Sequence, residues 1–372
     1  MFSFKVLQNE IIRKKDLLKS FTSKEKYNFD FKKFSKFKKF KTVIIIGMGG
    51  SILGSKAIYT FFKHKIKKKF IFVDNLDQIF LRKIEKENKL NNALFVVISK
   101  SGNTIETLIN ASYFKKFFKT NNVIFLSENK KNVLRNFAKA KKFTFVNHNP
   151  NIGGRFSIFS DAGMLPVYLM GLNPLKFKKN LMSFFKNKKK AMKSLNHISK
   201  IDKKNLKVLI LFSYVPELKD FLFWCQQLLA ESLGKNKKGF MPVISEGPKD
   251  HHSLLQLYLD GPKDKIYYVF SSKISSKLKI NCSYFGKETN FINRKKFSHV
   301  KESQKRAFVE VLKKNKIPYK EIILKKLDEE TLGQLFFIFI METLALSKIM
   351  NVNPYNQPAV EMVKVFTKKF LN

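Results

Sequence analysis

Residues 93–108 read ALFVVISKSGNTIETL. Six apolar residues, Ala93 to Ile98, stop abruptly at Ser99, and apolar character resumes only beyond Thr104. A continuous aliphatic run of this length, closed by small polar residues, reads as a strand buried on both faces. From about Thr104 the pattern reads as a helix. Strand, polar loop and helix in that order are half of a βαβ unit, so the stretch points to a parallel sheet. Three hydroxyls (Ser99, Ser101, Thr104) and Gly102 sit where the strand ends. A single hydroxyl there is an ordinary helix cap. Three within six residues, beside the free N–H groups of a helix start, suit one phosphate monoester.

The same alternation extends in both directions. KTVIIIG (41–47), KKFIFVDN (68–75), NNVIFLSEN (121–129) and FTFVNHN (143–149) read as further strands, with helical segments such as GSKAIYTFFKH between them. The pattern then begins again. NLKVLILFSY (205–214), KIYYVFSS (265–272) and KEIILKK (320–326) read as strands. Residues 215–235 read as a helix, with Leu218, Phe221, Trp224, Cys225, Leu228 and Leu229 on one face and Gly234 as a stop signal. The expected organisation is a helical extension over 1–40, a doubly wound α/β domain over 41–170 and a lysine-rich helical linker over 171–204. A second α/β domain over 205–330 and C-terminal helices over 331–372 complete it.

The chain carries 73 Lys and Arg against 28 Asp and Glu, a formal net charge of +45 over 372 residues. Such a charge invites a nucleic-acid reading. The excess is nearly all lysine, though, and comes with abundant Phe, Asn and Ile, all encoded by A/T-rich codons. It is also spread along the whole chain, where a binding arm would concentrate it. Base composition of the genome explains the charge better than a polyanionic partner, and no nucleic-acid partner is expected. Cys225 and Cys282, the two cysteines, offer no disulfide framework and fit a reducing compartment. The N-terminus has no apolar core of the secretory kind. The apolar run LFFIFIMETLAL is flanked by Gln334 and broken by Glu342, which favours a buried helix over a membrane span. A cytoplasmic chain without membrane contact is the expectation.

In open parallel sheets ligands bind beyond the carboxyl ends of the strands. The loop IGMGGSILG after the first strand places Gly47, Gly49, Gly50 and Ser51 at such an end. Its glycines let backbone N–H groups turn toward an anion. A dinucleotide fingerprint needs a third glycine three residues beyond Gly49, where Ile52 stands, although Asp74 after the second strand keeps a weak trace of that motif. The Gly-Lys-Ser/Thr of a P-loop is absent. A tight structural turn is the plain alternative.

Together the two loops resemble the sugar-phosphate-binding SIS domain. Four further segments narrow the resemblance: NIGGRFSIFSDAGMLP (151–166), LAESLGK (229–235), DHHSLLQLYLDGP (250–262) and NPYNQPAVEMVK (353–364). In this order they are similar to the signature segments of the glucose-6-phosphate isomerase family, over roughly residue 41 to the C-terminus. The resemblance implies two doubly wound parallel-sheet SIS domains with helical N- and C-terminal extensions. The activity it implies is interconversion of glucose 6-phosphate and fructose 6-phosphate through an enediolate, with neither cofactor nor metal.

The chemistry asks for particular residue types, and the resemblance assigns them. A proton shuttle needs a carboxylate that is base and then acid; the resemblance makes it Glu231, which by position alone would pass for a solvated helix-end glutamate. The enediolate needs a fixed cation, and Arg155, in a chain where lysine is the default cation, offers a planar and permanently charged fork. Ring opening suits a histidine; the family spacing to Gln256 selects His252 and leaves His251 a structural role. Lys364, in the family's ring-opening lysine position, rests on the resemblance alone. Gly50, Ser51, Ser99, Lys100, Ser101, Thr104 and Gln357 match phosphate ligands. The family further implies a homodimer in which the histidine enters the partner's site.

Some positions depart from the pattern. Ser101-Gly102-Asn103 stands where larger residues or threonine are usual, and is closer to isomerases that also accept mannose phosphate; Ala359 replaces a glycine. A bifunctional glucose/mannose phosphate isomerase is therefore one alternative. A non-catalytic SIS regulator is another, and would need the phosphate loops without Glu231, His252 and Lys364. A dinucleotide enzyme and a nucleic-acid binder are the remaining rivals.

Overall fold

The computed structural model describes residues 4–195 and 206–372. Each predicted strand of the first half is present. β1 (Thr42–Gly47), β2 (Lys69–Val73), β3 (Ala93–Ile98), β4 (Val123–Glu128) and β5 (Thr144–His148) form one sheet in the order β2-β1-β3-β4-β5. All its pairings are parallel. Helix α1 (Phe4–Arg13) precedes the sheet, and α2 (Leu53–Phe62), α3 (Gln78–Glu87), α4 (Ile105–Phe114) and α5 (Val133–Ala140) are its crossovers. Such crossovers cover both faces, which is why β1 and β3 are apolar almost throughout.

Helices α6 (Asp161–Leu169) and α7 (Lys188–Leu195) lead toward the second sheet. Part of the expected linker, 196–204, lies outside the described residues, as does Asn205 at the head of the predicted strand. The second sheet contains β6 (Val208–Ser213), β7 (Met241–Glu246), β8 (Lys265–Ser272) and β9 (Tyr319–Leu324) in the order β7-β6-β8-β9, again all parallel. Helices α8 (Lys219–Leu233), α9 (Phe297–Lys314), α10 (Glu329–Ile349) and α11 (Ala359–Leu371) complete the chain. The two sheets are the two doubly wound SIS-like halves expected.

Strand β7, MPVISE, escaped the reading of the sequence. It is an edge strand carrying Pro242, half-covered and without regular alternation. Proline belongs on edges because it cannot complete a ladder, but that proline also erased the strand's signal. Helix α8 starts at Lys219, after a short 3₁₀ turn at Pro216–Leu218. All six residues assigned to its inner face are buried. Gly234 ends it with a hydrogen bond to the Ala230 carbonyl.

The run 329–349 is long and apolar enough to cross a membrane, and most of it is buried inside the protein. Gly333 lies against the Phe177 carbonyl, where a Cβ would come within 1.9 Å of that oxygen, so α10 packs backbone to backbone on the 174–178 turn. Its Glu342 is buried and satisfied by Lys320 (2.7 Å) and the Tyr268 hydroxyl. One apolar cluster runs continuously from α1 through β1, β3, α6 and α8 to α10, joining the halves.

Candidate active site

In the first sheet the chain leaves β1 toward β2 on one side and β3 toward β4 on the other. The direction reverses beyond Gly47 and Ile98, which face each other in the ladder, and this is where such a sheet places a ligand crevice. Both candidate phosphate loops begin there. Gly49 adopts φ +51°, and a Cβ on it would meet the Gln227 side chain at 2.5 Å. Gly50 is tighter still: its Cβ would lie 2.2 Å from the Gly154 carbonyl carbon and 2.4 Å from the Arg155 nitrogen. These glycines let the first loop touch both the arginine turn and α8.

In the second loop the Ser99 and Thr104 hydroxyls lie 2.9 Å apart. Thr104 is the N-cap residue of α4, yet its side chain caps no N–H group of that helix. The ordinary capping role is thus not the one it plays, and the first turn of α4 keeps its donors. Ser99 also accepts from the Gly102 N–H, and Ser101 from the Asn103 N–H. Gly102, at φ +68°, lies so close to Asn132 that a Cβ would overlap its amide. Asn103 accepts from the Val133 N–H at the start of α5. The unusual Gly102-Asn103 pair therefore fastens the loop to its neighbour. Lys100 donates to the Pro150 carbonyl (2.8 Å) and pairs with Glu128 (3.6 Å). Burial, more than any charge, pulls its pKa down, and Arg155 adds to that.

Arg155 gathers the rest. It is 3% exposed, while the other five arginines are not buried. Its Nη1 donates to Glu231 Oε2 (2.9 Å) and to Gln357, its Nε to the Ser232 hydroxyl (2.9 Å), and its Nη2 to the carbonyls of Pro354 and Asn356. Burial lowers its pKa and Glu231 opposes that fall; guanidinium nonetheless stays charged in water. Glu231 is anchored at its other oxygen by Gln227 Nε2 (2.8 Å), one helical turn earlier. A carboxylate has about four acceptor positions, so both contacts leave it capacity to take a proton. Lys235 holds the carbonyls of Glu231 and Ser232 (2.6 and 2.9 Å). Burial first, and Arg155 second, push its pKa down to about 8.

A model of the phosphoglucose isomerase family matches residues 6–372. The chain belongs to the phosphoglucose isomerase family. It is 34% identical over 356 residues to the glucose-6-phosphate isomerase of Methanocaldococcus jannaschii, covering 91% of this chain and 86% of that protein. It is 31% identical to the glucose-6-phosphate isomerase of Campylobacter jejuni, covering 89% and 86%. Among solved structures, a hypothetical protein from Thermus thermophilus superposes with a TM-score of 0.84 at 22% identity, over 99% of this chain and 96% of that one. Family membership makes this an isomerase acting on sugar phosphates, at the level the family defines.

Within this phosphoglucose isomerase frame, the structure brings Arg155, Glu231 and Gln357 into contact and sets Gly50 against Arg155. Ser51, Ser99, Lys100, Ser101 and Thr104 occupy the adjoining loops. Two residues expected at the site are not brought to it within the single chain. His252 is exposed on the Lys249–His252 turn. Lys364 is exposed on α11, paired with Glu361 (2.7 Å). His251 bonds to the Tyr214 hydroxyl and packs on Phe212 and Phe308. Gln227, Ser232 and Lys235 went unnoticed in the sequence. The i, i+4 spacing of Gln227 and Glu231 was the available signal for one of them; nothing marked Ser232.

Proposed function

We propose that this chain interconverts glucose 6-phosphate and fructose 6-phosphate. The observation that carries the reading is the contact of Arg155 with Glu231 and Gln357, residues 76 and 202 positions away, beside a hydroxyl-rich anion loop. The phosphate takes the Ser99–Thr104 loop, where Ser99, Ser101 and Thr104 offer hydroxyls and Lys100 its charge. The Gly50 N–H and the Ser51 hydroxyl add donors, the Ser51 N–H being taken by the Met48 carbonyl, and the first turn of α4 adds a partial positive charge. Glu231 takes the proton from C2 of the open-chain aldose and returns it to C1, while the hydroxyl proton moves from O2 to O1. No atom is gained or lost. Negative charge develops on the enediolate oxygens meanwhile, and Arg155 is already oriented to meet it by five hydrogen bonds.

Ring opening is assigned to His252 and Lys364. Lys364 lies seven residues past Gln357, the last five of them along α11, about 7.5 Å by helical rise, and α11 buries none of its residues. His252, exposed in one chain, is assigned to the site of a second copy in a homodimer. The direct test is purified protein supplied with fructose 6-phosphate, with glucose 6-phosphate and mannose 6-phosphate measured separately by coupled dehydrogenases. Glucose 6-phosphate formation above blank supports the reading, and its absence at micromolar enzyme refutes it. Mannose 6-phosphate as a second product would broaden the specificity.

A further inference from the structure

The second sheet repeats the geometry of the first. In one, Gly47 ends the central strand opposite Ile98; in the other, Ser213 ends the central strand opposite Phe270. Counting outward from these pairs, Ser271 takes the register position of Ser99, and Ser276 lies six residues past Phe270 on the loop after β8, as Thr104 lies six past Ile98. The chain also reverses direction between β6 and β8 as it does between β1 and β3, so a crevice is expected there too. One exists. A cavity of about 150 Å³, lined by Tyr214, Glu217, Ser271 and Ser276 among others, adjoins a lobe of about 430 Å³ that shares six of its lining residues. The lobe is of the size that holds small molecules, about 300–1,000 Å³.

We propose that this crevice is a second phosphate-monoester site, distinct from the one at Arg155. Ser271 is 3% exposed and lines both lobes, and its hydroxyl has no hydrogen-bond partner among the described residues. That hydroxyl belongs to the lining of the crevice, where a ligand oxygen can accept from it. Helix α9, eighteen residues long with no acid in its first turn, begins at the cavity. Its Ser298 hydroxyl accepts from the Ser276 N–H (3.0 Å), docking the helix start onto the loop. The charges there favour an anion. Lys305 is paired with Glu302 and Glu321, each at 3.0 Å, which leaves that group with one negative charge in excess. Lys273, Lys296 and Lys301 line the two lobes without a carboxylate partner among the described residues, against Glu217 and the one excess charge of the Lys305 group, so the balance stays positive. Glu217 can accept hydroxyls from the rest of a phosphorylated sugar or polyol. Glu217 and Glu231 flank α8 at opposite ends, about 20 Å apart by helical rise, so one ligand cannot occupy both sites.

Equilibrium dialysis of the full chain tests this, with labelled inorganic phosphate in one arm and labelled sorbitol 6-phosphate, which cannot be isomerised, in the other. Two equivalents per chain are expected. Thr104→Val should weaken one. Ser271→Ala should weaken the other about tenfold or more, the scale of a hydrogen bond to a charged group, with fructose 6-phosphate turnover within about twofold of the parent. Lys301→Met, at a half-exposed lysine, provides the same test should Ser271→Ala fail to fold. Retention in both arms makes the ligand a sugar phosphate; retention of inorganic phosphate alone makes it the free anion. A single equivalent in both arms, or a second one indifferent to both variants, overturns the proposal. Two equivalents in a chain that turns over no fructose 6-phosphate would leave this site standing and remove the isomerase reading.

Discussion

Gly50→Ala should disable the site without touching a catalytic group. A Cβ at residue 50 lies 2.2 Å from the Gly154 carbonyl carbon, and ordinary contact begins at 3.4 Å. The two turns must therefore separate by the difference, about 1.2 Å. Both neighbours are backbone, so no side chain can swing aside. If the Arg155 turn yields, its 2.9 Å contact with Glu231 stretches past 4 Å, beyond hydrogen-bond range. A displacement near 1 Å at a positioned group costs on the order of 10²-fold in rate. Overpacking alone costs about 1–3 kcal/mol, so melting should fall by several degrees while the chain stays folded. Gly153→Ala is the control, next to Gly154 on the opposing turn. Its backbone sits at φ −63°, ψ 148°, and its added Cβ meets only Phe156, at 3.4 Å. It should keep turnover within about twofold. Steady-state isomerisation at 25 °C and a thermal melt on all three proteins decide the matter. Gly50→Ala with turnover within about threefold of the parent and an unchanged melt would refute the reasoning, because the close approach would then hold nothing in place.

Glu231→Gln keeps the side-chain shape, and an amide at 231 can still accept from Arg155, so folding should be preserved while kcat drops by at least ~10²-fold; near-normal turnover would remove Glu231 from the proton shuttle. Thr104→Val should raise KM for a sugar phosphate by an amount corresponding to about 1–3 kcal/mol and leave the affinity for unphosphorylated sugars alone; equal losses would make the loop purely structural. Inactive Glu231→Ala chains exchanged with inactive His252→Ala chains should recover roughly a quarter of the sites if the site is shared across a twofold dimer, and zero recovery with exchange confirmed by tagged chains would rule sharing out. His148 is buried, and burial lowers its pKa from 6.5 to about 4. The unfolded chain therefore takes up this proton first as pH falls, so stability present above pH 6.5 is lost between 6.5 and 4, by up to about 3 kcal/mol. His148→Gln should flatten that part of the pH profile in urea unfolding, and parallel slopes for both proteins would count against it.

The sequence by itself determined the strands, their parallel pairing and the ends at which chemistry could sit. Those features are local. An aliphatic run such as VIIIG must be buried on both faces wherever it lies, and a polar loop followed by helical periodicity marks its carboxyl end. β7 escaped for the same reason, since Pro242 and an edge position leave no regular pattern to read. The six ordered segments also carried Arg155, Glu231 and Gln357 as candidates, though by resemblance and one at a time. Tertiary structure alone decided that one guanidinium joins all three, because that meeting depends on Gly50 letting two turns touch and on α10 returning the chain to the first half. It likewise left His252 and Lys364 on the surface of the single chain. Spacing along a chain encodes which face a residue takes on its own helix or strand. Which faces of distant elements meet is set by packing, and no local pattern carries that.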